Sequence, residues 1–180
     1  MRIISGKYKG RTIMGYDIFG TRPTMDRVKE SLFAMIGSHV KEKDCLDLFA
    51  GSGALGIEAL SNGARSCVFV DQNPKVIATL KENLKKIGVQ EDYQLLQADF
   101  KEALKKFKIE QKSFDLIFLD PPYQESLIEP ALKMLKEYNL LNENAVIVCE
   151  AENEEYPLPY PIWKEKKYGS KTIRLLQVKE

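Results

Sequence analysis

The chain has 180 residues, 44% hydrophobic and 29% charged, with a net charge of +1, which describes an ordinary globular domain with a sizeable core. Its one histidine, His39, excludes a multi-histidine metal site and argues against a Ser-His-Asp triad. The small net charge hides an asymmetry, with +5 on residues 1–43 and −4 on the remainder, and a basic segment on an acidic body points to a polyanion contact at one edge.

Residues 2–14 mix β-formers with Gly6 and Gly10 and predict a short hairpin or extended arm. Residues 15–23 read as a loop. Thr24 is placed to cap a helix running to Ile36, with Val28, Leu32, Met35 and Ile36 on one face and Gly37 as its stop. From residue 44 the pattern alternates. A strand over 44–49 leads through a glycine loop into a helix over 54–62. A second strand over 66–71 is followed by Asn73-Pro74, a cap and a first-turn proline, opening a helix to Ile87. A third strand over 93–98, a helix over 100–107, a fourth strand over 114–119, a helix over 125–137 and a fifth strand over 145–149 complete the alternation. Pro157, Pro159 and Pro161 mark an extended connection. Two β-like runs, 162–168 and 172–178, then flank Gly169-Ser170 as an antiparallel hairpin.

Alternating strands and helices predict a mostly parallel seven-stranded sheet covered on both faces, an α/β Rossmann-like fold closed by a C-terminal antiparallel hairpin. No internal repeat or linker divides it. A single domain over 1–180 is expected, with a basic extension over 1–40 and the core over 41–180. Cys45, Cys67 and Cys149 each lie in an apolar run and read as buried thiols of a reducing compartment. No apolar run approaches a membrane span or a signal-peptide core, so a cytoplasmic protein is expected.

Residues 47–56 read Asp-Leu-Phe-Ala-Gly-Ser-Gly-Ala-Leu-Gly, and Asp71 follows Gly51 by twenty residues at the next strand end. Gly51, Gly53 and Gly56 fit the glycine spacing of a nucleoside-binding crevice, in which the later acid takes ribose hydroxyls. Three features favour S-adenosylmethionine over a dinucleotide. A carboxylate at Asp47 repels a pyrophosphate and suits a cationic methionyl group. Asp99 is placed to accept from an adenine amine while Phe100 lies on the ring. The third feature is Asp120-Pro121-Pro122-Tyr123, directly after the apolar run 114–119. Plainer readings stand beside these: Asp71 caps the following turn, Asp99 caps a helix, and Phe100 is core.

Methylation of an exocyclic amine explains that tetrapeptide. The amine lone pair is delocalised into the base ring, so the nitrogen is a poor nucleophile. Asp120 can accept one N–H and the Pro121 carbonyl the other, which favours the pyramidal nitrogen where charge develops. Tyr123 offers a face on which a flipped base stacks. A strand ended by a Pro-Pro turn is the bland alternative.

With these residues in place, the chain resembles a family of bacterial methyltransferases that modify guanine N2 in small-subunit ribosomal RNA. The resemblance covers nearly the whole sequence. It runs through Ile4-Ser-Gly-Lys-Tyr-Lys-Gly-Arg, Thr21-Arg-Pro-Thr-Met-Asp-Arg-Val-Lys-Glu-Ser-Leu-Phe33, 47–56, Asp71, Asp99-Phe100, 120–123 and Tyr168-Gly169. It implies S-adenosylmethionine as donor and one guanine of 16S ribosomal RNA as target, within the small subunit. Asp47, Phe49, Gly51, Gly53, Asp71, Gln72, Asp99 and Phe100 then fall to the donor, and Asp120, Pro121, Pro122 and Tyr123 to catalysis. Arg22, Thr24 and Arg27 belong to the N-terminal motif, which the resemblance places over the active site. Lys7, Lys9, Arg11, Arg22 and Arg27 are candidates for phosphate contacts, while Tyr8 either stacks on a base or packs on the body. No metal is expected, and a monomer is. A DNA adenine-N6 methyltransferase shares the Asp-Pro-Pro-Tyr logic, though 180 residues leave little room for a DNA-recognition domain. A protein-glutamine methyltransferase usually carries Asn at the Asp120 position. A non-catalytic RNA-binding or assembly factor has no need of Asp120 and Tyr123 together. Asp115 reads as structural.

Overall fold

The structure, a computed structural model, describes residues 1–15, 23–122, 125–152 and 155–179. Helix α1 (Pro23–Ile36) runs into a 3-10 turn over Gly37–Val40. The alternating part follows: β1 (Asp44–Asp47), α2 (Ala54–Ser61), β2 (Ser66–Asp71), α3 (Pro74–Ile87), β3 (Asp92–Gln97), α4 (Phe100–Ile109), β4 (Phe114–Leu119), α5 (Ile128–Glu137) and β5 (Leu141–Glu152). The chain closes with β6 (Ile162–Tyr168) and β7 (Lys171–Gln177). The sheet order is β3-β2-β1-β4-β5-β7-β6. Strands β1 to β5 are parallel, and β7 pairs antiparallel with both β5 and β6. This is the Rossmann-like α/β layout expected from the alternation and the terminal hairpin.

The inner strands are apolar because both their faces are covered. Cys67 to Val70 of β2 and Leu116 to Leu119 of β4 are buried throughout. The two edge strands, β3 and β6, are mostly exposed. Edge strand β6 carries Lys164, Lys166 and Lys167, charges that discourage pairing with another chain. On one face α1, α2 and α3 bury Leu32, Phe33, Ile57, Leu60, Leu80 and Leu84 against Phe69 and Phe118. On the other, α4 and α5 bury Leu104, Phe107, Leu132 and Leu135 against Leu46, Ile117 and Ile147.

Several boundaries differ from the sequence reading for identifiable reasons. Pro23 takes the first helical position of α1, so Thr24 lies inside the helix and not ahead of it. Gly37 is left-handed (φ 58°) and ends α1, but the chain continues as a 3-10 turn. Helix α5 begins at Ile128, because residues 125–127 are held in a turn by Glu125 N–H on the Pro122 carbonyl (3.2 Å) and Leu127 N–H on the Glu125 carbonyl (2.9 Å). Strand β5 extends to Glu152 because β7 pairs with it as far as Glu152 opposite Lys171.

The N-terminal segment is a closed loop pinned to the body. Arg2 bridges Thr12, and Ile3, Tyr8 and Ile13 enter the core. The pin is Glu58 of α2, which is fully buried. Its carboxylate accepts from Ile4 N–H (3.0 Å), Ser5 N–H (3.0 Å) and the Ser5 hydroxyl (3.1 Å), and it pairs with Lys29 of α1 at 3.2 Å. Lys29, 4% exposed, also donates to the Arg2 carbonyl (2.6 Å). Asn83 of α3 closes the segment's far end. It accepts from Met14 N–H and donates to the Met14 carbonyl (both 2.9 Å) and to the Ser52 carbonyl of the glycine loop (3.1 Å).

Candidate active site

The four carboxylates that the sequence assigns to the site, Asp47, Asp71, Asp99 and Asp120, stand at one edge of the sheet, where the parallel strands end. The strand order reverses between β1 and β4, and the crevice outside such a switch point is where α/β folds bind ligands. Asp47 ends β1, Asp71 ends β2, Asp99 follows β3 and Asp120 follows β4. The chain beyond β1 is drawn across the crevice by Leu48 N–H on the Phe118 carbonyl (3.2 Å) and Ala50 N–H on the Val70 carbonyl (2.9 Å).

The glycine loop is shaped by close contacts. Gly53 is left-handed (φ 85°), and a Cβ there would lie 2.2 Å from Leu80 Cδ1. A Cβ on Gly56 would lie 2.3 Å from Phe69 Cε1, so this glycine lets α2 settle on β2. The two acids of the loop are tied into it. Asp47 is 1% exposed and accepts from Gly56 N–H at 3.1 Å. Burial pushes its carboxyl up to about 7; the Gly56 N–H opposes the rise and the nearby Asp71 charge adds to it. Asp71 accepts from Gly51 N–H (3.1 Å) with one oxygen and from Asn73 N–H (3.0 Å) with the other. It thus joins the loop to the end of β2, while the cap of α3 is Asn73, whose side chain accepts from Lys75 N–H at 2.9 Å. A carboxylate has about four acceptor sites, so Asp71 keeps capacity for further donors.

Asp99 caps α4 by accepting from Lys101 N–H at 2.9 Å, and its side chain is exposed at the crevice mouth. Phe100 is buried in the core under Phe49, with ring centroids 5.3 Å apart; Phe49 is the half-exposed member of the pair. Gln72 is exposed beside Asp71. Asp120 is half-buried, Pro121 buried and Pro122 exposed. The Asp120 carboxyl is raised well above the usual range, first by burial, then by the Glu150 charge, with Lys171 opposing and Asp47 adding. Tyr123 and Arg22 lie outside the described residues, as does the side chain of Thr24.

Helix α1 brings its first turns to the same edge. Tyr168 and Lys166, at the end of β6, reach Ser31, and Lys164, near the start of β6, donates to the Met35 carbonyl (2.8 Å). The helix therefore runs opposite to β6, which is parallel to β5, and its N-terminus overlies the strand ends. Exposed Arg27 and Met25 sit on that part of α1. Lys7, Lys9 and Arg11 are placed elsewhere. Lys7 pairs with Glu91 (3.2 Å) and Arg11 donates to the Ile87 carbonyl, both in the stretch leading into the start of β3. That is the opposite edge of the sheet, about 20 Å away for a six-residue strand. Lys9 is exposed in the same loop. Tyr8 packs on the body: it is 2% exposed and its hydroxyl donates to Glu91 at 2.6 Å.

The sequence reading passed over Glu150 and Lys171. Glu150 is the first polar residue after the apolar run 145–149, as Asp120 is after 114–119, and that parallel was available as a signal. Asp115 is structural as expected, accepting from Asp44 N–H and from Asn142 Nδ2 (both 2.9 Å). Among the described residues, no group of three or more His, Cys, Asp or Glu side chains is placed to hold a metal ion, and no helix is long and apolar enough to cross a membrane.

The sequence and fold have close counterparts. A family model described as Conserved hypothetical protein 95 matches residues 1–177. A Bacillus subtilis protein, YlbH, is 46% identical over 154 residues, which span 86% of this chain and 84% of that protein. The Haemophilus influenzae protein named ribosomal RNA small subunit methyltransferase D is 38% identical over 181 residues, covering 98% of this chain and 93% of that one. The solved structure of the Escherichia coli protein yhhF superposes with a TM-score of 0.84 at 31% identity, covering 98% of this chain and 97% of that one. The match over almost every residue, with the glycine loop, Asp71 and Asp120 at one sheet edge, shows that the chain belongs to the Conserved hypothetical protein 95 family, which it shares with relatives named ribosomal RNA small subunit methyltransferase D.

Proposed function

We propose that this protein transfers a methyl group from S-adenosylmethionine to the exocyclic N2 amine of a guanine in 16S ribosomal RNA, with the small ribosomal subunit as its substrate. The observation that carries the reading is the placement of Asp120-Pro121-Pro122 directly across the switch point from Asp47 and the glycine loop, in a chain 38% identical to a small-subunit ribosomal RNA methyltransferase.

The crevice fits the donor by the chemistry of its side chains. Buried Asp47 is an acceptor that ionises most readily beside a cation. Asp71 has acceptor sites left for ribose hydroxyls and Asp99 an exposed carboxylate for an amine. Phe49, Gly51, Gly53 and Gln72 shape the walls between them, and Phe100 backs Phe49 from the core. When bound, S-adenosylmethionine supplies an electrophilic methyl group on a cationic sulfur. The protein's own part is to hold the amine. Asp120 accepts one N–H and the Pro121 carbonyl the other, so the lone pair of N2 would be free to form the new N–C bond as the methyl–sulfur bond breaks and its electron pair returns to sulfur, leaving a neutral thioether. The nitrogen then sheds one proton to water and ends as a neutral secondary amine. The N-terminal turns of α1, which carry Arg27, provide the RNA-facing wall, and Arg22 and Thr24 are candidates for RNA contacts by their chemistry alone. Lys7 and Arg11 serve the fold first, through Glu91 and Ile87.

The test is methyl transfer from labelled S-adenosylmethionine to small subunits purified from cells lacking this protein, with free 16S RNA and duplex DNA alongside and nucleoside analysis of the product. N2-methylguanosine on subunits or RNA, and no product on DNA, is expected. N6-methyladenine on duplex DNA, or transfer to none of the three, overturns the reading. Asp120→Ala is expected to cut turnover by roughly 100-fold or more while donor affinity holds, because an acceptor used in the transition state is lost.

A further inference from the structure

Asp120 has an ionic neighbour on the adjoining strands. Strand β4 pairs with β5 in a register that sets Leu119 beside Cys149, so the next residues, Asp120 and Glu150, stand side by side. Side chains alternate between faces, so both point to the face of Phe118 and Val148. That is the face covered by α1, where Phe33 lies 5.9 Å from Phe118. Strand β7 pairs with β5 with Ile173 beside Glu150, and Lys171, two residues earlier, points the same way. Its ammonium lies 3.2 Å from Glu150, whose side chain is 9% exposed.

We propose that the Glu150–Lys171 ion pair is a positioning device for Asp120, with Lys171 the cation that holds Asp120 in its acceptor form. The inference rests on the proposed methyl transfer and deepens it. Three carboxylates, Asp47, Asp120 and Glu150, share this face at the strand ends. The neighbouring negative charges on this partly buried face favour protonation of Asp120, and a protonated Asp120 is a poor acceptor for a developing ammonium. A cation fixed by Glu150 opposes that, and Lys171 lowers the cost of ionising Asp120. Among the described residues, Arg27 of α1 is exposed at the same end of the sheet, and other charged and polar groups of the packed elements are engaged elsewhere. Lys29 of α1 is held by Glu58 and the Arg2 carbonyl, Lys166 and Tyr168 of β6 meet Ser31, Glu152 accepts from Ser170 (3.3 Å), and Asp71 serves the glycine loop.

A purely structural ion pair would pin β7 to β5 and leave Asp120 unaffected. Two measurements on the full chain separate the roles. The first is the pH dependence of single-turnover methyl transfer for wild type, Lys171→Met, Lys171→Arg and Glu150→Gln. The second, which needs no RNA, is the titration of Asp120 by carboxyl-13C NMR, assigned with Asp120→Asn. In Lys171→Met the acidic limb of the rate profile and the Asp120 titration should both move up by about one pH unit or more, as loss of an opposite charge demands. The rate below the limb should fall roughly tenfold while donor affinity holds. Lys171→Arg should restore both, and Glu150→Gln should move both downward. An Asp120 titration unmoved in Lys171→Met, in protein that keeps the wild-type melting temperature, refutes the proposal, as does failure of Lys171→Arg to restore it. Should wild type methylate no guanine, the substrate reading falls, and the carboxyl titration still decides the role of Lys171.

Discussion

Removal of the Glu58 carboxylate should destabilise the protein more than any change at the sheet's edge. Glu58 is completely buried, accepts from two backbone amides and a hydroxyl, and pairs with Lys29. In Glu58→Ala the Lys29 ammonium, only 4% exposed, keeps the Arg2 carbonyl but loses its counter-charge. Breaking a buried pair from one side costs about 3–5 kcal/mol, and the Ile4 and Ser5 amides lose their acceptor as well. Against a typical total of about 5–15 kcal/mol this is a large fraction. For a chain of this size it corresponds to a fall in melting temperature on the order of 10 °C. Urea and thermal unfolding of the purified variant measure it, and hydrogen exchange at Ile4 and Ser5 should show those amides opening first. Glu58→Leu combined with Lys29→Met should recover much of the loss, since an apolar replacement of both partners leaves no orphaned charge. A loss below about 1 kcal/mol in the single variant would mean that the carboxylate is not the pin.

Three other outcomes follow from the same geometry. Asp47, raised to about 7 in the folded protein, holds its proton more tightly there than in the unfolded chain; its neutral form supports stability at low pH, and that support is lost as pH rises through about 7. A cationic donor favours the ionised form, so binding should expel a proton and tighten from pH 6 to 8, as calorimetry in buffers of different ionisation enthalpy will show; Asp47→Asn should abolish the dependence. Asp71→Ala frees the Gly51 and Asn73 amides at once and should weaken donor binding about tenfold or more, read by calorimetry, with unchanged affinity returning Asp71 to a purely local role. Deletion of residues 1–14 removes Ile3, Tyr8 and Ile13 from the core and should yield a chain without a cooperative melting transition; a well-folded truncated protein deficient only in RNA binding would contradict this.

The alternation of apolar runs with capped helices made the sheet legible, because β2 and β4 are buried on both faces and Asn73-Pro74 opens α3 by local chemistry alone. The crevice was legible for a related reason: Gly51, Gly53, Asp71 and Asp120 occupy strand ends, and strand ends converge wherever a parallel sheet forms. Sequence could not place the basic N-terminal segment. Lys7 and Arg11 read as free charges until Glu91 and Ile87, some eighty residues on, are seen to receive them. The same holds for Lys29 and Glu58, whose pairing depends on how α1 crosses α2. Phe100 was ambiguous because a ring after a strand end serves core or ligand equally, and only packing under Phe49 places it in the core.

Strand β7 comes after every other described element, yet it lies between β5 and β6. During synthesis β6 therefore emerges with no neighbour to join, and β5 waits with one side open, until β7 slots between them. A nascent or prematurely ended chain would present that open side to any sticky strand nearby. Because β7 also carries Lys171, the strand that seals the sheet also brings the proposed cation to Asp120. A chain ended before β7 would thus carry the proposed donor residues of β1 to β4 and lack the proposed cation for Asp120.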